Sequence, residues 1–76
     1  MFYTAIRSEF VTRKIRIPFS AIREAFSLAN AANVRLTMAE MINAAENVMA
    51  EFEMLGKSIN LEDAYLREIS YVIAHR

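Results

Sequence analysis

Apolar residues recur along most of this chain at steps of three and four, the spacing that gathers them on one face of an α-helix. The strongest run is Met38, Met41, Ala45, Val48, Phe52 and Leu55, a two-position heptad seam broadened by Ile42 and Met49. Thr37-Met38-Ala39-Glu40 stands before it as a capping box, in which the Thr hydroxyl and the Glu carboxylate each take a backbone amide. Gly56 ends it. The pattern predicts a helix over 37–55, about 27 Å long at ~1.5 Å per residue. That is long for so small a chain and suggests that the helix packs against a partner helix.

Two further helices are legible. Phe19, Ile22, Phe26 and Ala29 make a stripe that runs out near Asn33, a residue that tolerates the left-handed conformation at a helix end. With Ser20 as a candidate N-cap, a helix over 19–33 follows. Asn60 is a second cap, and Leu61, Tyr65, Ile69, Val72 and Ile73 share a face over 60–74. Glu62 and Asp63 at its start and His75 and Arg76 at its end suit the helix dipole.

The period changes in Thr12-Arg13-Lys14-Ile15-Arg16-Ile17-Pro18. Here Lys14 and Arg16 alternate with Ile15 and Ile17, a period of two that predicts a short strand over 12–18, closed by Pro18. Residues 2–11 read as an extended arm. The expected fold is mainly α with one short N-terminal strand, in the order strand-helix-helix-helix, within a single domain spanning 1–76.

Length sharpens the picture. At 76 residues a monomeric core is marginal, and chains of this size commonly need disulfides, a metal or a partner. There is no Cys, and a lone His75 builds neither a metal cage nor a catalytic triad. No metal or cofactor is expected. With 55% hydrophobic residues, self-association is the default expectation. One Gly and one Pro exclude a glycine-rich phosphate loop and argue against a multi-hairpin sheet. No apolar run is long enough to span a membrane. Met1 to Phe10 carries Arg7 and Glu9 and does not read as a secretory signal. The cytosol is the expected location.

Charge is balanced but uneven. Residues 1–39 hold six basic and two acidic side chains, net +4, and residues 40–76 hold three basic and seven acidic, net −4. Such asymmetry marks either an anionic partner for the basic half or two halves that face each other. A lone strand cannot persist in water with its ladder groups unpaired. In a homodimer, strand 12–18 pairs antiparallel with its twin, its isoleucines covering the helices. The two-stranded ribbon then displays Thr12, Lys14 and Arg16 twice, at a width that fits the DNA major groove. The same alternation also suits an edge strand whose charges discourage aggregation.

Basic alternating strand, Pro, helix, short connection and capped helix is also the order of elements in the ribbon-helix-helix DNA-binding family of repressors and antitoxins, which residues 12–50 resemble. Leu28-Ala29 matches the family's apolar-Ala pair, and Glu40-Met41-Ile42 its acidic residue followed by two apolar ones. The resemblance implies an intertwined homodimer in which Thr12, Lys14 and Arg16 read base edges. It also implies that the stretch Arg35, Leu36, Thr37 and Met38 leads into helix amides that grip a phosphate. Ile15, Ile17, Met38, Met41, Ile42, Ala45, Val48, Met49 and Phe52 then become the dimer and partner contacts. The chain departs from the pattern at four points: Asn33 stands for the usual Gly with Val34 extra, Arg13 falls on the inward face, eleven residues precede the strand, and a third helix follows.

Other readings compete. A helix-turn-helix over Ala29–Asn43 fits poorly, because its recognition helix would carry Glu40 and Glu46 against phosphates. The methionines of 37–55 read as gap-filling core, and Tyr3, Tyr65 and Tyr71 as core edges. No nucleophile–base pair or metal set assembles, so an enzyme is not expected. The alternative to a DNA-binding regulator is a small helical protein–protein interaction module, of the class of phage-type inhibitors, adaptors and antitoxin-like proteins. It would dock through the basic strand, the long central helix or the C-terminal helix.

Overall fold

A computed structural model describes residues 2–76, the side chain of Lys57 excepted. Four α-helices follow one another: α1 Phe2–Thr12, α2 Ser20–Ala31, α3 Met38–Leu55 and α4 Leu61–Ala74, with a single 3-10 turn over Gly56–Ser58. There is no strand among the described residues. The particle measures 34 × 25 × 18 Å.

The ribbon is therefore absent, and both the strand-helix-helix-helix fold and the ribbon-helix-helix resemblance are overturned. Residues 2–11, read as an extended arm, are helical instead. Ile6 and Phe10, four apart, are both fully buried, and Phe2 continues the step toward the N-terminus. Thr12 is the last residue of this helix rather than the first of a strand. Lys14 then takes φ 59°, and the amide of Ile15 reaches back to the Phe10 carbonyl at 2.9 Å. That left-handed residue with its six-to-one hydrogen bond closes α1.

Residues 15–19 form an irregular connection over the core. Ile17 is buried and Ile15 half-buried, while Lys14 and Arg16 are exposed. The period of two is real, but it belongs to a connection that anchors its isoleucines one by one. No second strand is needed, because a surface connection leaves its backbone polar groups to water.

Pro18 and Phe19 start α2. The amides of Ala21 and Ile22 bond the carbonyls of Pro18 and Phe19 at 3.0 Å each. Phe19, not Ser20, is the N-cap residue, and no side chain caps this end. At the other end Asn33 takes φ 55°, and the amide of Val34 bonds the Ala29 carbonyl at 2.8 Å. The capping box at Thr37 is complete, with Glu40 N to Thr37 Oγ1 at 3.1 Å and Thr37 N to Glu40 Oε1 at 2.9 Å. Gly56, at φ 70°, ends α3 in a conformation that an L side chain rarely adopts. Asn60 caps α4 by accepting from the Asp63 amide at 2.9 Å.

All four helices contribute to the core. Ala21, Ala25 and Ala29 of α2, Ala44 and Ala45 of α3, and Ala64 of α4 are buried and let the helices approach closely. Larger groups fill the centre: Ile6, Phe10, Ile22, Met41, Val48, Tyr65 and Ile69. Phe10 and Tyr65 meet edge to face, with centroids 5.9 Å apart and planes at 86°. The Tyr65 hydroxyl donates to the Met41 carbonyl at 3.4 Å, and burial pushes its phenol above the ordinary range. No described side chain is a buried polar group without a hydrogen-bond partner.

Because α1 fills the centre, Phe10→Ala is expected to cost about 3–5 kcal/mol and Ile6→Val about 0.5–1.5 kcal/mol. Urea denaturation measures both. A loose arm at 2–11 would give values near zero.

Candidate functional site

The three residues assigned to a groove-reading ribbon do not share one face of a strand. Thr12 closes α1, Lys14 sits in the turn after it, and Arg16 lies two residues on in the connection. The Arg16 guanidinium sits 5.7 Å from the centroid of the Phe52 ring on α3. Arg35 is exposed in the α2–α3 connection, and its carbonyl accepts from the Arg76 guanidinium. Thr37 is engaged in the capping box.

At the start of α3 the anion is already supplied by the chain. The Glu40 carboxylate takes the Thr37 amide and pairs with Arg76 at 2.8 Å. It is held below the usual carboxylate range, first by the Thr37 amide and then by the Arg76 charge.

Of the residues expected to contact a partner, Ile17, Met41, Ile42, Ala45 and Val48 are buried inside the chain itself. Ile15 and Met38 are half-buried. Met49 and Phe52 are also half-buried, but they lie on the part of α3 that outruns the core. After Val48, no described residue of α3 is buried. Phe52 and Leu55 continue the buried stripe of Met41, Ala45 and Val48 by steps of four and three, and Leu55 is 55% exposed.

The end of α1 flanks this overhang. Phe10, Val11, Lys14, Ile15, Arg16, Met49, Phe52 and Glu53 enclose an open groove of about 630 Å³. Phe10 forms its floor, and Val11 is 63% exposed on its edge. Lys14, Arg16 and Glu53 make no ion pair among the described residues. Arg13 is different. It bridges Glu9 at 2.8 Å and Glu46 at 2.7 Å, which ties α1 to α3 and raises its already high pKa.

Val11 and Glu53 were not singled out from the sequence. Val11 follows Phe10 on a helix that the sequence reading missed, so its place beside α3 had no signal. Also unforeseen is a pair of cation–ring contacts between α1 and α2. Arg7 lies 4.8 Å from the Phe19 ring and Arg23 lies 4.3 Å from the Tyr3 ring. These contacts stitch the outer seam of the two helices.

A second hollow, about 730 Å³, lies between α2 and the start of α3, with Phe2, Phe26, Val34, Leu36 and Met38 among its lining. Its polar members Arg35 and Thr37 direct backbone groups to Arg76 and Glu40. Among the described residues no group of three His, Cys, Asp or Glu is placed to hold a metal ion. No described helix is long and apolar enough to cross a membrane. Comparison with protein-family models, with characterised proteins and with solved structures finds no match for the chain.

The depressed Glu40 value sets a pH dependence. A carboxyl with a lower pKa folded than unfolded stabilises the fold above its unfolded value, and the contribution is lost as pH falls through the folded one. With an ordinary value of 4.5, the wild type is expected to lose part of its stability as pH drops below that point. Glu40→Gln is expected to flatten this acid limb, measured as urea midpoints at successive pH values.

Proposed function

We propose that this chain is a small helical protein–protein interaction module of the cytosol. It docks through the C-terminal third of α3 and the adjoining end of α1. The observation that supports this reading is the stripe on α3 that outlasts the core. Met41, Ala45 and Val48 are consumed inside the molecule, whereas Phe52 and Leu55 carry the same stripe into solvent. Apolar groups that continue a packing seam beyond the chain's own core mark a binding surface rather than scattered surface residues.

The groove beside the stripe has the anatomy of an interface. An aromatic anchor, Phe52, sits among Val11, Ile15 and Met49, and charged side chains rim it. The α1 side is anchored: α1 is closed by its left-handed turn at Lys14, and Arg13 ties it to α3 at Glu46. That half of the surface loses little ordering entropy on docking.

In-cell photo-crosslinking checks this. A benzophenone amino acid at Leu55 is expected to yield a discrete protein adduct, and adding Phe52→Glu is expected to abolish it. The Phe52→Glu chain is expected to keep its helicity, because position 52 is only half-buried. Absence of any discrete adduct would defeat the docking role.

A further inference from the structure

We infer that the occupant of the α1–α3 groove is a second copy of this chain, seated across a two-fold axis. The inference rests on the docking role proposed above and identifies its partner.

The argument is electrostatic. Lys14 and Arg16 come to the apolar groove from the turn and connection after α1, with the Arg16 guanidinium reaching over the Phe52 ring, and Glu53 comes to it from α3. None of the three is paired within the described chain. A uniformly acidic partner would gain from the two cations and be repelled by Glu53, and a uniformly basic one would meet the reverse. A two-fold partner meets neither conflict, because an isologous interface brings the same patch to itself in the opposite sense. Lys14 and Arg16 of one protomer then face Glu53 of its partner, twice.

Phe52 supplies the apolar half of the argument. It is half-buried beneath the Arg16 guanidinium, and Leu55 one turn on is more exposed still. Two copies of α3 crossing at these turns would cover both residues in both chains. The chain's formal net charge is zero, so no overall repulsion opposes the encounter of two copies.

Charge reversal tests the geometry. Wild-type chain at low salt is expected to sediment as a species of twice 8.7 kDa, dissociating on dilution. Lys14→Glu with Arg16→Glu is expected to weaken the dimer about tenfold or more, and so is Glu53→Lys. Mixing the two variants is expected to restore association as a heterodimer, and combining all three substitutions in one chain is expected to restore the homodimer. Circular dichroism confirms that each variant is folded. The idea is overturned if the wild type stays at 8.7 kDa at every concentration. It is equally overturned if the reversed variants associate as the wild type does, or if mixing restores nothing. An adduct at Leu55 made only with a different protein would also overturn the self-pairing while leaving the docking role in place.

Discussion

The fold depends on one buried ring. Tyr65 of α4 lies at the centre, edge to face with Phe10 of α1, and its hydroxyl ends on the Met41 carbonyl of α3. A large ring with one polar atom can be buried this deeply only where an acceptor meets that atom. The Met41 carbonyl meets it, so a helix backbone group is shared between its own ladder and a side chain from another helix. The small residues around it follow from the same requirement. With Tyr65 and Phe10 filling the middle, α2 and α3 each close on α4 rather than on one another, and Ala21, Ala25, Ala44 and Ala45 are buried in that core.

The helices with strong caps were legible in the residues. Thr37 with Glu40, Asn60 with Asp63, and Gly56 are local signals, and local signals survive any tertiary arrangement. Residues 2–18 were legible only in part, and the reason is physical. Lys14-Ile15-Arg16-Ile17 alternates as cleanly as a strand, but alternation records only which side chains face inward. An irregular connection over a core satisfies it as well as a ribbon does. On α1 the helical signal was carried by Ile6 and Phe10, two residues on a short segment without an N-cap of the Ser, Thr, Asp or Asn kind. Whether such a segment coils depends on whether a core waits for its face, and that is a long-range fact.

The uneven charge takes a mixed form in three dimensions. One long-range ion pair, Arg13 to Glu46, joins the basic half to the acidic half, and a second, Arg76 to Glu40, closes within the acidic half. In both, a guanidinium fastens an irregular or terminal part of the chain to α3. The first holds the end of α1, the second holds the C-terminus against the α2–α3 connection. Exposed pairs of this kind contribute little to stability one by one. Their effect is to fix where the ends lie. The candidate surface was legible in its α3 half, through Met49 and Phe52, and illegible in its α1 half, because Val11 had no place until α1 was a helix.

The overhang of α3 divides that helix into two thermal regimes. Up to Val48 each turn is locked to the rest of the molecule and opens only when the whole chain unfolds. The two turns beyond have no buried residue to hold them, so they can fray while the remainder stays intact. Amide hydrogens there exchange through this cheap local opening, and anything that covers Phe52 and Leu55 must raise its cost. Association at that tip and persistence of its last turns are therefore thermodynamically linked.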